Sequence, residues 1–79
     1  MRPKHKTPIQ LFVSQRVREI REQLALTQEQ FSERINCSRG YFADRENPNT
    51  GAAFNLETIN TIAKEFNISP QFFIPKKAL

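Results

Sequence analysis

The apolar residues of this chain return in steps of three and four, and nowhere in the strict alternation of a half-buried strand. Ile9, Phe12, Val13, Val17, Ile20 and Leu24 trace one helical stripe, with Arg16, Arg18, Glu19 and Glu22 largely off it. Leu56, Ile59, Ile62, Ala63 and Phe66 repeat the pattern later in the chain. A chain with this spacing buries its apolar surface by packing helix on helix, so the expected fold is all-α.

Polar punctuation sets the element ends. Thr27-Gln28-Glu29-Gln30 has the form of a capping box, a hydroxyl at the N-cap and a glutamine three residues on. It opens a short helix with Phe31 and Ile35 on one face, closed at Asn36, a residue that tolerates the left-handed conformation. Ser38 caps again and starts a third helix that runs to Glu46. The stretch 47–55, NPNTGAAFN, is a loop by composition, and Asn55 caps a fourth helix that ends at Asn67. Ser69-Pro70 opens a short last turn with Phe72, Phe73 and Ile74, and Pro75 stops it. The expectation is five short helices in one folded unit over 9–75. It is preceded by a flexible basic arm, 1–8 (MRPKHKTP), and followed by a short basic tail, 76–79.

At 79 residues there is room for one small core. The net charge is +4 and the pI about 9.7, which makes nucleic acid the first partner to consider. That excess sits at the ends, in Arg2, Lys4, Lys6, Lys76 and Lys77, whereas 9–75 holds seven basic and eight acidic side chains. Charge alone therefore does not make the middle a nucleic-acid binder. No apolar run approaches the ~20 residues of a membrane span, and the N-terminus lacks the apolar core of a signal peptide. A cytoplasmic location without membrane contact is expected. One histidine and one cysteine provide neither a structural zinc site nor an internal disulfide, and no metal or cofactor is implied. His5 in the arm is read as solvated and Cys37 as core packing. Without paired carboxylates in a supporting shell or a Gly-rich phosphate loop, no catalytic site assembles and the chain is not read as an enzyme.

The stretches 28–35 and 38–46 are two short helices joined by a tight turn, a helix-turn-helix candidate. The first carries polar groups at its start, suited to a DNA phosphate. The second begins Ser38-Arg39-Gly40-Tyr41, a polar surface that can enter a major groove.

Residues 16–74 resemble the phage-repressor/Cro-like (Xre-type) helix-turn-helix family. The residues that carry the resemblance are Arg16-Val17 and Arg21, then Leu24-Ala25-Leu26-Thr27-Gln28-Glu29-Gln30-Phe31, Asn36-Cys37-Ser38-Arg39 and Glu46-Asn47. Leu56-Glu57-Thr58-Ile59, Ile62-Ala63-Lys64, Ile68-Ser69 and Phe73-Ile74 complete the ordered set. The resemblance implies a five-helix lambda-repressor-like DNA-binding domain. Its implied function is a sequence-specific transcriptional regulator of bacterial or phage origin, a repressor that binds double-stranded DNA as a homodimer on a palindrome.

By the same resemblance, Gln28 matches a phosphate-contacting glutamine that props up the reading side chains. Arg39 and Gly40 match the first base-reading positions. Arg39 suits guanine O6/N7 or a phosphate; Gly40 either lets the helix approach closely or leaves its base unread. Ser38 lies on the same surface. Tyr41 reaches a phosphate or a thymine methyl, or is a half-buried surface aromatic. Asp44 accepts from cytosine N4 or restricts the docking by repulsion. Asn47, Asn49 and Thr50 are the polar groups the loop offers to DNA; apart from the resemblance, the basic arm with Lys4 and Lys6 is expected to hold the DNA non-specifically, along a groove or the backbone. Arg21 and Glu46 match an ion pair between the first and third helices. Phe73 is expected inward, and at least one of Phe72 and Ile74 at the dimer interface.

The chain departs from the family pattern at Arg45, where an apolar core residue is usual, at Ala25 for a common glycine, and at Ser32 for a common alanine. Its 47–55 loop has no lysine or arginine. A phage-type repressor, a restriction-modification controller and an antitoxin with a cognate partner protein all fit the resemblance. The rival reading is a protein-interaction module on the same fold, with weak or lost DNA binding.

Overall fold

The computed structural model describes residues 5–79. Four α-helices follow one another: α1 (Pro8–Gln23), α2 (Gln28–Arg34), α3 (Arg39–Glu46) and α4 (Leu56–Phe66). The fifth expected helix is a single 3₁₀ turn, Pro70–Phe73, because Pro75 leaves no room for an α-helical ladder. No strand occurs among the described residues.

Each element begins where a side chain can satisfy its first amides. Thr27, Ser38, Asn55 and Ser69 accept from backbone N–H groups two or three residues on, as the sequence predicts. α1 begins one residue before the expected stripe. Thr7 and Gln10 form a capping box and Pro8 takes the first helical position, so the folded unit reaches back into the segment read as an arm.

Three helices end in a left-handed residue: Ala25 after α1 (φ 56°), Asn36 after α2 (φ 59°) and Asn67 after α4 (φ 54°). At each end the following amide donates back into the last turn: Leu26 to the Arg21 carbonyl, Cys37 to Ser32 and Ile68 to Ala63. The closures after α2 and α4 lay α3 on α2 and the last turn on α4.

Val13, Val17 and Ile20 of α1, Phe31, Ile35 and Phe42 of the middle helices, Ile59, Ile62 and Ala63 of α4, and Phe73 form one core. Phe31 is its centre, with its ring 4.9 Å from Phe42 and 4.7 Å from Phe66. α3 packs between α1 and α2, and the 3₁₀ turn seals the core against α1 and α4. Phe73 points inward as expected. The apolar stripes are shorter than their periodicity suggests, because Ile9, Leu24 and Leu56 are exposed. They occupy first-turn or cap positions, where the neighbouring elements no longer cover the helix. Ser14, which an apolar pattern passes over, is buried and donates to the Arg45 carbonyl at 2.8 Å, tying α1 to the end of α3.

Ala25 holds a conformation that costs an L-residue roughly 1–2 kcal/mol and glycine almost nothing. Ala25→Gly is therefore expected to stabilise the fold by ~1 kcal/mol after the larger unfolded-state entropy of glycine is counted. A urea midpoint no higher than the parent's would contradict this.

Candidate nucleic-acid interface

The last residue of α3, Glu46, has a side chain with no solvent exposure. Arg21 of α1 meets it in a fork, Nε to Oε2 and Nη2 to Oε1, both at 2.9 Å. The third arm of the same guanidinium, Nη1, donates to the Leu26 carbonyl at 3.0 Å. Gln28, the first residue of α2, donates its amide to Glu46 Oε1 at 2.9 Å, and Arg18 Nε lies 3.8 Å from that oxygen. The Glu46 hydrogen bonds push the Arg21 guanidinium further above its ordinary pKa, against the opposing effect of burial. One carboxylate thus fixes the end of α3 to α1 and to the start of α2.

Between α2 and α3 lies a four-residue turn, Ile35 to Ser38, closed by the left-handed Asn36. Cys37 is half-buried there, and burial pushes its thiol pKa up while the charge on Arg45 opposes the shift. Its side chain packs against the core, as the sequence predicts. Ser38 Oγ accepts from the Tyr41 amide at 3.1 Å, which leaves its hydroxyl proton for an outside acceptor.

Arg39 and Gly40 follow, both exposed. Arg16, Arg18, Arg21, Arg34 and Arg45 each have a carboxylate within 4 Å. Arg39 alone among the described arginines has none. Tyr41 is half-buried, its hydroxyl 3.2 Å from Thr58 Oγ1 of α4 and its ring beneath the Arg45 guanidinium at 3.6 Å. Arg45 thus meets the departure from an apolar core residue by placing its guanidinium over an aromatic face with its stem partly covered. Asp44 is half-buried, with Oδ2 3.9 Å from Arg45 Nη1. These two helices, with their turn and an exposed first turn on the second, have the geometry of a helix-turn-helix.

A family model described as a helix-turn-helix domain matches residues 14–79. The chain belongs to that family. Its members are Xre/Cro-like helix-turn-helix domains, in agreement with the resemblance of 16–74. No curated protein and no solved structure matches the chain.

Around the helix-turn-helix, some side chains expected at DNA have other partners. The Lys6 side chain is buried and its ammonium donates to the Asn47 carbonyl, to the Thr50 carbonyl at 2.9 Å and to Thr50 Oγ1 at 3.1 Å. It clasps the segment just before α1 to the loop after α3. The same packing commits the Thr50 hydroxyl, which donates to the Asp44 carbonyl at 2.6 Å. Asn47 ends α3, and its Oδ1 accepts from the Asn49 amide at 2.9 Å. Asn49 is exposed. Lys4 lies outside the described residues.

At the closing turn, Phe72 is half-buried with Arg16 4.8 Å over its ring, and Ile74 is 40% exposed. The ties of Gln28 and Lys6 escape a sequence reading because their partners lie far along the chain. One signal for Lys6 is in the sequence: Thr7-Pro8-Ile9-Gln10 has the same capping form as Thr27–Gln30 and brings the helix start next to Lys6.

Two expectations follow from this network. Glu46→Ala and Arg21→Ala each strand a buried charge and are expected to cost ~3–5 kcal/mol, against ~0–1 kcal/mol for the exposed Arg18→Ala. Equal denaturation midpoints for the three variants would contradict the arrangement. Lys6→Met is expected to cost about 1–3 kcal/mol through the unmet loop carbonyls. It should leave the salt dependence of DNA binding unchanged; a slope lowered by about one phosphate contact would return Lys6 to the DNA.

Proposed function

We propose that the protein is a sequence-specific, double-stranded DNA-binding transcriptional regulator, a repressor that acts as a homodimer on a palindromic operator. Arg39 carries this reading. It stands exposed at the first position of α3 and is, among the described arginines, the one without an acidic partner. A guanidinium without a partner on the exposed start of a recognition helix is equipped to donate two hydrogen bonds to guanine O6 and N7. Ser38 and Asn49 offer polar groups for the flanking phosphates, and Gln28, braced by Glu46, supports the reading side chains. Tyr41 and Asp44 line the same helix, and Asn47 and Thr50 shape the loop beside it.

The helix order and the closing turn support a lambda-repressor-like domain. One such domain covers one half-site, so two copies on half-sites about 34 Å apart are the working arrangement. The exposed Ile74 and half-covered Phe72 are the surface proposed for their contact. A bacterial or phage origin, a cytoplasmic location and a cognate protein partner fit the same reading, as do a phage-type repressor, a restriction-modification controller and an autoregulating antitoxin.

The test is binding to a duplex from upstream of the protein's own gene, against a scrambled duplex, over a salt series. The parent is expected to prefer the upstream duplex. Arg39→Ala should lose ~1–3 kcal/mol of that preference while retaining non-specific binding at low salt. No sequence preference and no effect of Arg39→Ala would favour a protein-interaction module instead.

A further inference from the structure

Gly40 is a residue for which the fold supplies no reason. It is the second residue of α3, where a residue with a Cβ makes the better helix. Its φ is not positive, so its backbone conformation is open to any L-residue. A Cβ built on it meets no atom of the protein within 4 Å, so no neighbour requires the space. It is exposed, next to Arg39 on one side and Tyr41 on the other. Glycine has a third use besides unusual backbone angles and crowded packing, which is to let the backbone come close to a ligand.

We propose that Gly40 is a specificity-determining close-approach point. The DNA lies against the α3 backbone there, nearer than a Cβ permits, and this seating brings the Arg39 guanidinium within hydrogen-bonding distance of a base edge. The inference rests on the DNA-binding reading and sharpens it. It takes the close-approach alternative for Gly40 over the unread-base alternative, and the two differ in what a methyl does. At an unread position a methyl is tolerated. At a close-approach point it holds the helix off the groove, and the Arg39 hydrogen bonds weaken steeply as they lengthen and tilt.

The test sets Gly40→Ala beside Asn60→Ala, a change at an exposed position within α4, far from α3 in the chain. Both remove a poor helix former; at this chain length Gly40→Ala is expected to raise the Tm by about 4–8 °C and Asn60→Ala by about 3–5 °C. The probes are the upstream duplex and a scrambled duplex at one salt concentration. Gly40→Ala is expected to bind the upstream duplex at least ~10-fold more weakly and the scrambled duplex nearly as the parent does, while Asn60→Ala binds both unchanged. In an Arg39→Ala background the effect of Gly40→Ala should shrink to less than threefold, because the hydrogen bonds it disturbs are already gone. A more stable Gly40→Ala that binds the upstream duplex as well as the parent overturns the proposal, as does an equal loss on both duplexes. A parent without sequence preference overturns the sequence-specific reading itself, a result visible before any Gly40 variant is made.

Discussion

A carboxylate with no access to water must be met by enough donors to replace its hydration, or it forces the structure open. Glu46 is that carboxylate, and its donors come from different parts of the chain: Arg21 from α1, Gln28 from the start of α2, and Arg18 at longer range. The demand fixes three things together. It sets the rotation of α3 about its own axis, the distance of α2 from α1, and, through Arg21 and the Leu26 carbonyl, the path of the chain between those helices. An apolar contact at this position would hold the helices together without choosing among neighbouring registers. The bidentate geometry chooses one, and with it the direction in which the opposite end of α3 points.

The consequence at that opposite end is a division of labour along eight residues. The last residue of α3 is committed to the interior, Phe42 is fully buried, and Tyr41 and Arg45 cover each other on its flank. What remains uncommitted is the first turn, Arg39 and Gly40, with the Ser38 hydroxyl proton. The net positive charge of the whole chain says little about this surface. Most described arginines are spent on carboxylates of the same molecule, and Lys6 is spent on backbone carbonyls.

Local chemistry made much of this legible in the sequence. Caps act within three or four residues, so Thr27, Ser38, Asn55 and Ser69 and the left-handed Asn36 and Asn67 stand where their residue types place them. Periodicity located the stripes but not their ends, because the same three-and-four spacing covers buried Ile59 and exposed Leu56. The Arg21–Glu46 pair was legible through resemblance; the Gln28 bond to the same carboxylate was not, since Gln28 is equally at home as a solvated first-turn residue. The partners of Ser14 and Lys6 lie beyond local reasoning, although the Thr7–Gln10 capping form marks the helix start beside Lys6. Their partners are 31 and more than 40 residues away, and a polar side chain near the chain's start reads as solvated until the loop it meets is in place.

That separation gives the Lys6 clasp a place in the order of assembly. A bond between residues 44 positions apart encloses α1, α2 and α3 in one circuit, and its closure entropy is the largest of any hydrogen bond described. The helices and the Glu46 network shorten that circuit as they form, so the clasp closes late, onto a loop already shaped by the end of α3. None of the residues in the clasp belongs to the core cluster, so its opening leaves that cluster in place. The segment it releases and the loop after α3 would then loosen together as one cooperative unit, while Phe31 and its ring partners stay packed.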